Sequence, residues 1–515
     1  MSEFTHLVDL ASARLGGRAV ATNDDFFAEK ENLIKPEPPV FIPGKYTDRG
    51  KWMDGWESRR RRTPGHDWCI VKLGLPGVIH AFVVDTSFFT GNYPTHCWID
   101  GCGLPDGADA ASAEIEWHPV LGRSELAGNT QNTFTLPHDP HAERRFTHLR
   151  LNIFPDGGVA RLRVMGESLP DWSRVLAGGD AIDLAAAVHG GYVVDTSDRH
   201  YGEPRNMLMP YSAENMGDGW ETKRRRGPGH DWAIVRLGLA AAIARVEIDT
   251  AHFKGNYPDT ASIDAADVKD EGTGVSADVA ARAIAHWSTL LPQTKLQPDH
   301  FHGYGHGYGS ELASDVVASH VRLNIFPDGG VSRFRVYGTP SPVARRAAVL
   351  RQLNAMDGPE LRALVADFCA APAWIDRVAA ARPYASADAL LAASDAAAEG
   401  VSADDWREAF RHHPRIGERR AEKQQSDAAQ TLSSQEQAAA SSAPQPDLTA
   451  LADANRRYEE RFGHVFIVAA QGKSAAEILG ILRQRLNNDP AAEIEIAAAE
   501  QKKITRLRLE RLLGS

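Results

Sequence analysis

The sequence predicts two tandem all-β sandwich or jelly-roll units followed by an all-α domain, and three observations carry that prediction. A long string recurs: "DGWESRRRRTPGHDW" at 54–68 returns as "DGWETKRRRGPGHDW" at 218–232, with twelve of fifteen positions identical. Inside the repeated region apolar residues alternate with a period of two, the spacing of a strand with one buried face. From about Ser341 the composition changes to Ala, Leu, Glu and Arg at helical spacing. The expected boundaries are 1–170, 171–340 and 345–515.

The first string belongs to a larger duplication. "DTSFFTGNYP" at 85–94 returns as "DTAHFKGNYP" at 249–258, offset by 164, and "RLNIFPDGGVARLRV" at 150–164 returns as "RLNIFPDGGVSRFRV" at 322–336, offset by 172. The extra residues of the second copy fall between these landmarks, where it carries a His-rich loop. In "HVRLNIF", Val321, Leu323 and Ile325 alternate with Arg322 and Asn324; in "SRFRVYG", Phe334 and Val336 alternate with Arg333 and Arg335. "PDGG" between these runs is turn chemistry, with Gly supplying positive φ. Short strands punctuated in this way predict an antiparallel sandwich. Farther on, Asp357 and Pro359 in "DGPELRALVADF" suit a helix start, and Ser402 opens "SADDWREAFR" as an N-cap. "NRRYEERFGHVFIVAA" and "AAEIEIAAAEQKKITRLRLERLL" read as further helices, and the Gln-, Ser-, Ala- and Pro-rich stretch 418–448 as exposed and partly loose.

A chain of 515 residues with 43% hydrophobic and 24% charged residues has the balance of a soluble multidomain protein. The net charge of −11 argues against nucleic acid despite the Arg runs. No apolar run approaches the roughly 18 residues of a membrane span, and the start of the chain lacks a secretory pattern. The four cysteines, Cys69, Cys97, Cys102 and Cys369, show neither metal spacing nor a disulfide framework, so a cytoplasmic setting is expected. What is left is an enzyme or binding protein for small molecules, with homo-oligomerisation compatible.

Each copy of the opening string carries an acid (Glu57, Glu221), a His-Asp pair (His66-Asp67, His230-Asp231) and an Arg cluster (Arg60 to Arg62, Arg224 to Arg226). A purely structural reading makes this a duplicated loop in which Trp56, Trp68, Trp220 and Trp232 plug the sandwich end and Arg pairs with Asp. A functional reading uses the planar Arg fork to bind a carboxylate or a ureido oxygen while the acid or the imidazole moves a proton. The His-rich loop "PDHFHGYGHGYGSE" holds His300, His302 and His306, but their spacing fits no standard metal site, so no metal is assigned. The second copy, with this extra loop, is the expected site.

The strings "FFAEKENLI", "GKWMDGWESRRRR", "GHDW", "DTSFFTGNYP" and "RLNIFPDGG", with their second copies, resemble allantoicase over about residues 4–340. The resemblance implies two galactose-binding-like jelly rolls that hydrolyse allantoate to (S)-ureidoglycolate and urea. Glu221 or His230 would then transfer the proton, with Arg224, Arg225 and Arg226 anchoring the substrate. In the last third, "HPRIG", "SSQEQ", "RFGHVFIVAA" and "ILRQRLNN", in that order, resemble OHCU decarboxylase, which forms (S)-allantoin from 2-oxo-4-hydroxy-4-carboxy-5-ureidoimidazoline in a helical fold without a cofactor. Carried over by motif, His413 is the proton donor. Pro414, Ser433, Ser434, Gln435, Glu436, Gln437, Phe466, Ile467, Val468, Ala469, Ala470 and Arg485 line the substrate. The expected function is therefore a bifunctional ureide enzyme. The rival reading is a non-catalytic ureide- or sugar-binding pair fused to a working decarboxylase.

Overall fold

The computed structural model describes residues 7–137, 143–177, 181–268, 287–309, 312–313, 316–416, 426–438 and 445–514. It separates into a β unit, essentially the chain up to Ala348, and a helical unit that follows.

Each repeat is organised around one 19-residue strand, Asp67–Asp85 in the first and Asp231–Asp249 in the second. The first half of Asp67–Asp85 pairs antiparallel with Arg18–Thr22 and Phe146–Phe154, and its second half with Arg161–Ser168 and Gln131–Thr135. One strand thereby serves both layers of the sandwich, as strands at sandwich corners do. The second repeat repeats the scheme with Tyr192–Thr196, Val317–Phe326, Arg333–Pro340 and Phe301–Gly305. Thr260–Ala266 then pairs with Val317–Phe326 on its other edge. The residues the sequence turns inward, Val321, Leu323, Ile325, Phe334 and Val336, are all fully buried.

The "PDGG" turns use their two glycines differently. Gly157 and Gly329 sit at φ 138° and 141°, conformations that disfavour side chains. Gly158 and Gly330 are needed for proximity: a Cβ there would lie 1.9 Å from Phe89 Cε1 and 2.0 Å from Phe253 Cε1. Trp56 and Trp220 do plug the sandwich ends, fully buried, and their indole N–H groups donate to the carbonyls of Asp24 and Asp198 at 2.8 and 2.9 Å. Trp68 and Trp232 are only half-buried.

The repeats are fastened to one another by a buried carboxylate. Asp218 accepts from Arg333 of its own repeat at 2.8 Å and from both terminal nitrogens of Arg14 in the first repeat at 2.8 Å. The equivalent Asp54 pairs with Arg161 at 2.8 Å. A cavity of about 630 Å³ lies at this joint, and its guanidinium groups Arg14, Arg163 and Arg205 are already committed to Asp218, Asp9 and the Leu7 carbonyl.

In the helical unit, Gly358–Ala366 and Ala403–Phe410 form at the expected starts, the latter with Ser402 capping the Asp405 N–H at 3.1 Å. Two expectations change. The helix expected through "NRRYEERFGHVFIVAA" is Gln445–Phe462 and stops there. Gly463 takes φ 73°, an end signal, and 463–470 runs on without regular structure. In the stretch expected to be partly loose, 418–425 and 439–444 lie outside the described residues. The rest is helical, Asp427–Glu436 and the start of Gln445–Phe462. Ala and Gln are good helix formers, and Ser426 caps the first of these helices by accepting from the Ala429 N–H at 3.0 Å. The closing helix Pro490–Leu512 buries Glu493, Gln501, Thr505 and Arg508, a polar stripe that helical spacing gathers on one inward face.

Candidate active sites

In each repeat the duplicated string places its acid on a two-residue strand, Trp56–Glu57 and Trp220–Glu221, paired with the "GV" that follows the turn. Strand alternation buries the Trp and turns the acid to the other side. There Glu57 accepts from Asn92 Nδ2 at 2.6 Å and Glu221 from Asn256 Nδ2 at 2.5 Å. Burial raises the Glu57 carboxyl above its ordinary value, opposed by the Asn92 hydrogen bond and the charge of Lys51.

The imidazoles are held by a second amide. His66 Nε2 lies 3.2 Å from Asn152 Oδ1, and His230 Nε2 3.3 Å from Asn324 Oδ1. The amide nitrogens of Asn152 and Asn324 donate to Asp100 and Asp264 at 3.0 and 2.8 Å. Each amide oxygen therefore faces its imidazole, and the proton on that ring sits at Nε2. His66 and His230 also pack on Trp98 and Phe326 with centroids 4.5 Å apart.

The Arg cluster divides. Arg225 pairs with the buried Asp231, and its backbone N–H donates to Asp328 at 2.8 Å; Arg61 repeats this with Asp67 and Asp156. Arg224 and Arg226 are exposed. In the His-rich loop, His302 has both nitrogens engaged: Nε2 accepts from the Gln297 N–H at 2.9 Å and Nδ1 meets the Ile248 carbonyl at 3.1 Å. Among the described residues there is no group of three His, Cys, Asp or Glu side chains able to hold a metal ion.

The helical unit builds a different site. His413 leaves the helix Ala403–Phe410 with its backbone N–H on the Phe410 carbonyl at 3.0 Å. Its side chain lies in the wall between two cavities. One is lined by Pro414, Glu436, Gln437 and Phe466 to Ala470, the other by Asp367 to Ala370, His412, Ser426 and Arg508. Burial, then the Arg508 charge, pushes the His413 imidazole down to about 3, and a side-chain hydrogen bond to Gln501 opposes the fall. Arg508 forks onto Glu436 through Nε–Oε1 and Nη2–Oε2, both 2.8 Å, and also reaches the Asp367 carbonyl at 2.8 Å and Ser433 Oγ at 3.3 Å.

The fold thus gathers His413, Pro414, Glu436, Gln437 and 466–470 around one cavity. Ser433 stands behind them on Arg508, and Ser434 and Gln435 are exposed. Arg485 lies apart. Its guanidinium binds Glu493 at 2.6 Å and the Ile467 carbonyl at 2.8 Å, and it lines a separate cavity with Lys473 and Glu500. Arg508 and Gln501 lie in none of the repeated or family-like strings; their signal in the sequence is Gln501, Thr505 and Arg508 spaced by four and three along an otherwise apolar face.

Two sites of unlike chemistry on two unlike folds make this a bifunctional enzyme, hydrolytic in its β unit and a carbon–carbon lyase in its helical one. Residues 8–169 and 182–341 match the model of the allantoicase repeat, and residues 354–510 match that of OHCU decarboxylase. The chain belongs to the allantoicase family and carries an OHCU decarboxylase domain behind the repeats. It is 50% identical over 338 residues to the probable allantoicase 1 of Burkholderia mallei, covering 65% of this chain and 96% of that one. The probable allantoicase of Ralstonia nicotianae is 48% identical over 333 residues, covering 64% and 94%. The solved allantoicase of Saccharomyces cerevisiae shares 33% identity and a TM-score of 0.52, covering 64% of this chain and 93% of its own.

Proposed function

We propose that the repeats hydrolyse allantoate to (S)-ureidoglycolate and urea, and that the helical domain decarboxylates OHCU to (S)-allantoin. Loss of CO₂ leaves a carbanion-like centre, and a positioned imidazole can protonate one face of it. The observation that carries the second activity is His413, neutral at pH 7 beside the Arg508–Glu436 fork. A substrate carboxylate drawn to Arg508 offsets the charge that holds the proton off His413, so the acid is loaded as substrate binds. Pro414, Gln437 and the irregular segment 466–470 wall the substrate, while Ser433 and Glu436 orient Arg508. Arg485, tied to Glu493, supports that wall through the Ile467 carbonyl. In the repeats, urea leaves poorly until protonated, which is the task of the acid in the duplicated cluster, with His66 or His230 beside it, the exposed Arg224 and Arg226 as anchors for the anion and Arg225 holding Asp231.

Neither reaction calls for a cofactor. The four buried thiols and the acidic net charge support a cytoplasmic enzyme of small ureides that does not bind nucleic acid; homo-oligomers are compatible with this reading. Among the described residues no helix is long and apolar enough to cross a membrane. The test is urea release from allantoate and optically active allantoin from OHCU, both by the purified full chain. Binding of allantoate without urea release would return the repeats to the binding-module reading.

A further inference from the structure

The two copies of the acid are not equivalent, and the difference lies in a segment only one of them has. Leu33 and Met207 are offset by 174, and Trp56 and Trp220 by 164, so the first repeat holds ten additional residues just before its acid. They form a hairpin, Tyr46–Thr47 with Gly50–Lys51. Arg49 of the hairpin donates to the Phe26 carbonyl at 3.1 Å. The next residue, Phe27, gives its backbone N–H to the Glu57 carbonyl at 3.2 Å. Lys51 Nζ sits 4.6 Å from the Phe41 ring centroid, and Phe41 stacks on Phe88 at 5.7 Å. Phe88 stands four residues before Asn92, the partner of Glu57. The hairpin thus brings an ammonium, through Phe41, to the Phe88 loop whose Asn92 holds the acid. In the second repeat this hairpin is missing, His252 stands where Phe88 does, with its Nε2 at the Ala213 carbonyl, and the amide beside Glu221 meets Met216 Sδ at 3.9 Å.

We propose, on the allantoicase reading of the repeats, that allantoate is hydrolysed at the first repeat, with Lys51 seating its carboxylate and Glu57 protonating the departing urea. A water oxygen bonds to the central carbon as one ureido C–N bond breaks. The Glu57 carboxyl gives its proton to the leaving nitrogen, and the water proton restores the acid. Allantoate and water become ureidoglycolate and urea, and Glu57 ends as it began. Lys51 couples binding to protonation. In the free enzyme its charge opposes the rise of the Glu57 carboxyl caused by burial, and a carboxylate seated on Lys51 removes that opposition. An exposed ammonium offset by an incoming anion is a cheap trigger, because it needs no conformational change.

The experiment compares E57Q, K51M and E221Q in the full chain by urea release, with OHCU decarboxylation as the control that each chain is folded. E57Q is expected to lose on the order of 10²- to 10⁴-fold in kcat, the worth of general acid catalysis, and to lose more than E221Q. In the wild-type enzyme the alkaline limb of kcat, which reports the bound state, should lie at higher pH than that of kcat/KM, which reports the free enzyme. In K51M the KM rises and the gap between the limbs closes, which a merely structural lysine would not produce. A larger loss in E221Q than in E57Q, or an unchanged gap in K51M, overturns the proposal. Wild-type chain that decarboxylates OHCU but releases no urea would sink the allantoicase reading itself.

Discussion

Replacing Glu436 by Gln tests how the helical site is held together. Glu436 and Arg508 form a two-pronged pair with side chains 10% and 3% exposed. The substitution keeps the shape and one acceptor but leaves the Arg508 charge buried without its counter-ion. Breaking a buried pair in this way costs about 3–5 kcal/mol, a large share of the roughly 5–15 kcal/mol that holds a domain folded. At about 2–4 °C per kcal/mol for a domain of this size, the helical transition should drop by about 6–20 °C. Far-UV circular dichroism at the helical minimum follows that transition, because the sandwiches contribute little there. The double variant E436L/R508M removes both charges, and an apolar replacement of a buried pair is often neutral or stabilising, so it should melt above E436Q although it too has lost the site. A single variant within about 2 °C of the wild type, set against the drop of at least about 6 °C expected here, would refute the reasoning. So would a double variant that melts below the single one.

Two further outcomes follow from the same geometry. H413N should lower allantoin formation by about 10²- to 10⁴-fold while urea release from allantoate is unchanged; wild-type decarboxylation by H413N would remove His413 from the mechanism. His413 and His148 are pushed down to about 3 and about 4 by burial first, so between their ordinary 6.5 and those values the unfolded chain binds protons that the fold refuses. The stability they contribute is therefore complete above pH 6.5 and is lost as the pH falls below it, and the urea midpoint should be lower at pH 5 than at pH 7, less so in H413N; equal midpoints would contradict the buried, neutral imidazole.

Local patterns made the fold readable. Val321, Leu323 and Ile325 announce a strand because one pleat face must be apolar, and the turn glycines announce its end. Ser402 marks a helix start because a free N–H needs an acceptor. The irregular run 463–470 escaped because its residues are as apolar as those of a buried helix, and only Gly463 signals the break. Site pairings were less legible because they depend on contacts between residues far apart in the chain. His413 and Arg508 are 95 residues apart and meet only once the closing helix has turned its polar stripe inward. Arg485, on a late helix, finds Glu493 only eight residues on and also holds the Ile467 carbonyl, contacts that its position in the chain did not announce. Asn92 and Asn152 were in plain view inside the repeated strings, but an uncharged amide advertises no chemistry until its partner is seen.

The doubled string now divides into two kinds of residue. Those shared by both copies mostly fasten the fold. Asp67 and Asp231 are 1% exposed and answered by Arg61 and Arg225, and losing either Arg would strand a buried carboxylate at a cost of several kcal/mol. Trp56 and Trp220 close the sandwich ends; Asn152 and Asn324 tie imidazole to carboxylate. Such residues recur because both sandwiches must fold, whether or not both catalyse. Chemistry that belongs to one copy has to reside in what the copies do not share: the hairpin with Lys51 and Phe88 in the first, His252 and the loop of His300, His302 and His306 in the second. The same logic bears on the fusion. Decarboxylation yields a closed ring, whereas the repeats act on the opened acid, so a ring-opening hydrolysis must come between the two steps. Joining the two domains therefore fixes their relative amounts, and each site can be altered without touching the chemistry of the other.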